Sequence, residues 1–99
     1  MPKLQLRILA SESAKYEKTV DMVIVRCIYE DLGSANAFGD LGILPGHMPL
    51  SAVLGSGSLN GTLRILDGGI EQRITLFGGI VNVRKNLITI LTKKYEDNH

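Results

Sequence analysis

Residues 62–92 read TLRILDGGIEQRITLFGGIVNVRKNLITILT, and their pattern decides the fold. Thr62 to Leu66 and Ile70 to Phe77 flank Asp67-Gly68-Gly69, and an Asp-Gly pair supplies the positive φ that a tight hairpin turn requires. Ile80 to Val83 and Leu87 to Thr92 flank Arg84-Lys85-Asn86 in the same way, giving a second hairpin. Between the two hairpins, Gly78-Gly79 interrupts the apolar pattern where a bulge, a sharp corner or a close backbone approach is expected. Short strands with turns roughly 8 to 12 residues apart predict an all-β chain folded as an antiparallel sandwich or barrel.

Upstream, Leu4, Leu6 and Ile8 alternate with Lys3, Gln5 and Arg7, the period-two signature of a half-buried strand. Ser11 to Lys18 is polar and reads as a turn or short strand. Val20 to Ile28 (VDMVIVRCI) is β-branched and almost continuously apolar, which predicts one strand covered on both faces, by the core on one side and by another protein on the other. Glu30 to Asp40 contains Gly33, Ser34, Asn36 and Gly39 and has no periodicity, so it reads as a loop of about ten residues. In Leu41 to Leu54, Pro45 and Pro49 exclude a continuous helix or a central strand; the segment is irregular or edge-like. Gly55 to Ser58 reads as a turn. No helix of two or more turns is predicted. The strand phases place Leu4, Leu6, Ile8, Val23, Val25, Leu63, Ile65, Ile74, Leu76, Val81, Val83, Ile88 and Ile90 in the core.

A chain of 99 residues has room for one core, burying roughly two-thirds of its unfolded surface. Hydrophobic residues make up 44% and charged residues 21%, a balance that sets it apart from disordered chains. The net charge of +1 is spread without a basic stripe, which argues against nucleic acid as a partner. The single cysteine, Cys27, has no second thiol for a disulfide or a metal pair. The N-terminus shows neither an apolar signal core nor a transit-like segment, and no apolar run reaches the roughly 18 residues that span a bilayer.

Candidates for chemistry are few. His47 lies between Gly46 and Met48, His99 ends the chain, and Cys27 is distant from both in sequence; no nucleophile-base pair or zinc spacing results. No G-x-x-x-x-G-K-[ST] run is present, and no glycine-rich turn leads into a helix. No catalytic residue, metal or cofactor is predicted.

Gly39-Asp40-Leu41-Gly42-Ile43-Leu44-Pro45-Gly46-His47-Met48-Pro49-Leu50 resembles the G-x-x-G-I-L-P-G-H-x-P-L signature of F-type ATP synthase epsilon subunits. The order of Gly57-Ser58-Leu59, the Asp67-Gly68 hairpin, Gly78-Gly79 and Leu87 to Leu91 fits the same family, and Leu6 to Val25 runs in register with its first strands. The resemblance implies a β-sandwich of about ten short strands fixed to the gamma subunit, resting on the membrane ring of c subunits and turning with both. That is a non-catalytic part of the central stalk in proton- or sodium-driven ATP synthesis. It implies a peripheral place on the cytoplasmic face of the bacterial plasma membrane, with membrane contact only through partners. Ala10, His47 and Ala52 match positions that lie toward gamma in the family. Asp40, with Glu30 and Asp31 of the adjoining loop, matches the side facing the polar loops of the c-ring.

Arg26 to Phe38 is several residues longer than the family's short turn, and Lys18 stands where the family often has glycine. By the resemblance, the 99 residues are expected to correspond to an epsilon-type domain at 1–94 and a tail at 95–99, without the family's C-terminal helical hairpin. The residues alone also allow a stand-alone β-sandwich binding module for a small ligand or protein. With two Phe, three Tyr and no Trp, such a module would be poorly supplied with stacking surfaces.

Overall fold

The computed structural model describes residues 2–29 and 37–98. Among these residues ten strands follow in order: β1 (Leu4–Ala10), β2 (Tyr16–Val20), β3 (Met22–Tyr29), β4 (Ala37–Ile43), β5 (Leu50–Leu54), β6 (Thr62–Asp67), β7 (Ile70–Leu76), β8 (Ile80–Arg84), β9 (Leu87–Thr92) and β10 (Tyr95–Asn98). A single helical turn, α1 (Gly57–Asn60), separates β5 from β6. Both predicted hairpins form. Gly68 and Gly69 (φ 59 and 81) and Lys85 and Asn86 (φ 49 and 64) place both central turn residues in the left-handed region, the geometry that matches the twist of flanking strands.

The sandwich is made by strands that change sheet. Residues 50–67, 70–84 and 87–98 each run through both layers, as β5 then β6, β7 then β8, and β9 then β10. One layer is β4-β3-β6-β7-β10 and the other β5-β8-β9-β1-β2. β3 joins them, because its Met22 to Val25 pair with β6 while Cys27 and Ile28 pair with β5. Between these two ladders the Gly55 N–H donates to the Arg26 carbonyl at 3.2 Å. The corner in β7–β8 falls at Gly78-Gly79. Gly79 has φ 115, and a Cβ there would overlap the Leu91 carbonyl, so close backbone approach requires glycine at this point.

All thirteen residues predicted as core are buried, joined by Val20, Cys27, Ile43 and Leu54. Several expectations change. Val20 to Ile28 is not one strand: it breaks at Asp21, whose N–H donates to the Leu66 carbonyl at 2.9 Å. Within β3, Val23, Val25 and Cys27 point inward, while Ile24, Arg26 and Ile28 are half-buried on the outer face. The expected loop from 30 to 40 ends earlier, since residues 37–40 belong to β4 and pair with β3 through Tyr29↔Ala37 and Arg26↔Asp40. The sandwich is not wholly antiparallel, because β1 pairs parallel with β9. Nor does the sheet end at residue 94: Tyr95 to Asn98 pair with β7 and bring a last strand to the edge opposite β2.

Candidate partner-binding surface

Because side chains alternate along a strand and directly paired residues share a face, the inward phase of the core fixes what points outward. Outside the neighbours of Cys27, Leu54, Val81, Ile90 and Ile8 lies an apolar row in direct register. Phe38 is opposite Ile28, Ile28 opposite Val53, Val53 opposite Ile80, Ile80 opposite Leu91, and Leu91 opposite Leu9. Phe38, Val53, Ile80 and Leu91 are 37%, 53%, 44% and 45% exposed; Ile28 and Leu9 are half-buried. Scattered exposed apolar residues are ordinary, but a contiguous stripe across β4, β3, β5, β8, β9 and β1 is the kind of patch that marks a protein interface.

Beside the stripe, Arg26 Nη1 donates to Asp40 Oδ1 at 3.3 Å, and its guanidinium lies 5.8 Å from the Phe38 ring centroid. The Arg26 Nε–H is buried without a hydrogen-bond partner among the described residues. A groove of about 460 Å³ opens between β4 and β5, with Cys27 and Ile28 on its floor, Asp40 and Leu41 on one wall, and Ala52 and Val53 on the other. Burial, and then the Asp40 charge, push the Cys27 thiol above its ordinary pKa, which disfavours the nucleophilic thiolate. Among the described residues no three His, Cys, Asp or Glu side chains converge as a metal site.

Asp40 and Ala52 face the same groove. Ala10 ends β1 opposite Thr92, whereas His47 sits at the other end of the strands, in the turn after β4. There the His47 N–H donates to Leu44 O at 3.1 Å, and its Nδ1 lies 2.8 Å from Met48 O. Ala10, His47 and Ala52 therefore do not form one cluster. Glu30 and Asp31 lie outside the described residues. The signature around His47 builds a turn: Gly46 has φ 84 and its N–H donates to Asn86 Oδ1 at 2.7 Å. Ile43 enters the core, Leu44 is 54% exposed, and Pro45 and Pro49 bracket the turn before Leu50 opens β5. Gly39 and Gly42 lie in β4 opposite Cys27 and Ile24. The stripe was missed by a reading that tracked the buried phase; apolar residues in the opposite phase, such as Leu9, Val53, Ile80 and Leu91, carried its signal.

The family profile described as "ATP synthase, Delta/Epsilon chain, beta-sandwich domain" matches residues 3–98. The chain is 33% identical to the ATP synthase epsilon chain of Alkalihalophilus pseudofirmus over 97% of its own length and 62% of that protein's. It is 32% identical to the epsilon chain of Frankia casuarinae over 91% of its length and 92% of that protein's. It thus spans about three-fifths of the first relative and nearly all of the second. A chain in the structure of the Euglena gracilis mitochondrial ATP synthase, OSCP/F1/c-ring in rotational state 1, superposes with a TM-score of 0.74 at 18% identity, over 96% of this chain and 53% of that one. That likeness concerns the fold. No helix among the described residues is long and apolar enough to cross a membrane.

Proposed function

The chain belongs to the family of ATP synthase delta/epsilon β-sandwich domains, and on that premise we propose that it is a non-catalytic central-stalk subunit coupling gamma to the c-ring. The observation that carries this reading is the apolar stripe from Phe38 to Leu9. Such a surface is costly to leave in water and gains about 25 cal/mol for each Å² of apolar area covered. In this reading gamma covers the stripe, with Ala10, Ala52 and His47 toward the same partner. Asp40, together with Glu30 and Asp31, faces the polar loops of the ring, where rim charges guide docking and fix register.

The unit holds its neighbours and performs no chemistry of its own. It belongs on the cytoplasmic face of a bacterial plasma membrane and touches the membrane only through its partners. The test is co-purification with gamma. Ile80→Asp and Val53→Asp each place a charge where the partner would exclude water, a change that costs about 3 kcal/mol or more, equivalent to at least about a hundredfold loss of affinity. Both side chains are exposed in the isolated chain, so folding should survive. Undiminished recovery of gamma with both variants would sink the reading.

A further inference from the structure

The sequence contains eleven lysines and arginines, all among the described residues. Every one except Arg84 and Lys85 has an ion pair or a side-chain hydrogen bond to another described side chain. The two exceptions are consecutive, both exposed, and form the tip between β8 and β9.

The tip is held in place. Asn86 Oδ1 accepts the Gly46 N–H at 2.7 Å, and the Asn86 carbonyl accepts the Gln5 N–H at 2.8 Å. Lys85 is kept at φ 49, a conformation uncommon for a lysine. Against Arg84 lies a shallow cleft of about 370 Å³, with Pro49, Ser51 and Asn82 in its walls. Met48, next to Pro49, is 78% exposed. Two exposed cations on a held turn, with no ion partner among the described residues, suit a surface that brings carboxylates to them. Register also puts this tip at the opposite end of the strands from the stripe, since Arg84↔Leu87 and Ile80↔Leu91 close the two ends of the same hairpin.

We propose that the Arg84-Lys85 tip docks on an acidic surface of a second polypeptide in the ATP synthase, with Asp or Glu side chains of that partner pairing with the two cations and Met48 covered at the rim. The proposal takes its setting, the assembled enzyme, from the function inferred above.

Carbodiimide joins an amine to a carboxylate in contact with it, so the complete ATP synthase carrying this chain can be treated and its peptides examined by mass spectrometry. The expected product is an amide between Lys85 and an Asp or Glu of another subunit. It should be lost in about 0.5 M salt, which screens exposed pairs, and absent from the isolated chain. Lys3 with Asp67, 2.9 Å apart, and Lys15 with Glu17, 3.0 Å apart, link within the chain and report that the reaction worked.

Arg84→Glu with Lys85→Glu in the full chain should lower affinity for the rest of the enzyme at least tenfold at low salt, while Lys85→Arg should lose the cross-link and keep the affinity. Lys85 left unlinked while the internal pairs react would overturn the proposal. So would charge-dependent binding of the tip to phosphatidylglycerol vesicles in place of an intersubunit link. A chain that never co-purifies with the enzyme removes the function reading and this proposal together; a chain that co-purifies with Lys85 unlinked removes this proposal alone.

Discussion

The rings of Tyr16 and Tyr95 meet edge to face, with centroids 6.1 Å apart and planes at 72°, and so close the side of the sandwich where β2 and β10 end the two layers. Around this contact the Tyr16 hydroxyl donates to Gln72 Oε1 at 3.1 Å, and the Tyr95 N–H donates to Ser13 Oγ at 3.2 Å. Three segments distant in sequence are tied at one seam. Aromatic pairs in this arrangement contribute about 1 kcal/mol beyond the area they bury.

Tyr95→Ala should therefore lower stability by about 2 kcal/mol, less than a fully buried aromatic would because the ring is only half-buried. Tyr95→Phe, which keeps the ring, should change little. Urea unfolding of the two variants measures the difference, and equal loss in both would show that the ring contact is not what holds the seam.

Gly79 and Gly68 separate two reasons for glycine. Both have positive φ, but a side chain at Gly68 would meet open space, whereas one at Gly79 would strike the Leu91 carbonyl. Gly68→Ala should cost about 1 kcal/mol from the backbone conformation alone. Gly79→Ala should cost about 3 kcal/mol or prevent folding, since the overlap is with backbone that cannot rotate away. Thermal melts that ranked the two variants equally would argue against a tight corner at Gly79.

Acid should weaken the fold through three carboxylates. The Gly68 N–H and then Lys3 hold Asp21 below the ordinary value of 3.8. Arg64 and Arg73 hold Glu71 below 4.5, and Lys15 and then Arg7 do the same for Glu17. A carboxyl whose folded pKa is depressed contributes stability that is complete above its unfolded pKa and is lost as pH falls through the folded one. Stability should accordingly be flat near neutrality and fall as pH drops through the ordinary carboxylate range and below it. Asp21→Asn and Glu71→Gln should each flatten that acid limb, measured as unfolding midpoints against pH. Because these groups are exposed, added salt should reduce the same dependence.

Away from its partners, the isolated chain should associate with itself through the stripe as its concentration rises. Sedimentation velocity should show this for the unaltered chain. Val53→Ser combined with Ile80→Ser and Leu91→Ser should abolish it with little change in melting temperature, because none of the three side chains belongs to the core.

Local pattern carried much of this fold. The Asp67-Gly68-Gly69 and Lys85-Asn86 turns, the strands they join and the inward phase of Leu63, Ile74, Val81 and Ile88 follow from turn chemistry and alternation over a few residues. What escaped depends on distant partners. Ala37-Phe38-Gly39-Asp40 has little strand propensity and becomes part of β4 only by pairing with Arg26 to Tyr29 of β3. Tyr95 to Asn98 are mostly polar and become a strand because the edge of β7 is free to receive them. The parallel match of β1 with β9 joins residues more than eighty positions apart, beyond any local periodicity. The exposed row from Phe38 to Leu9 needed cross-strand register, since its members are scattered singly in the sequence. Asp40 and Ala52 were legible only through the family resemblance; their common groove appears once β3 has brought β4 and β5 to its two edges.

The passage of residues 50–67, 70–84 and 87–98 through both layers has a mechanical consequence. In a sandwich whose sheets are joined only by side chains, a sideways pull on one layer is resisted by packing, which can slip. Here such a pull travels along three covalent backbones into the other layer. Sliding one sheet over the other would require the ladders around Gly55, Gly78-Gly79 and Lys93-Lys94 to break together. A twisting force applied at one end of the domain should therefore arrive at the other end with little loss to internal shear.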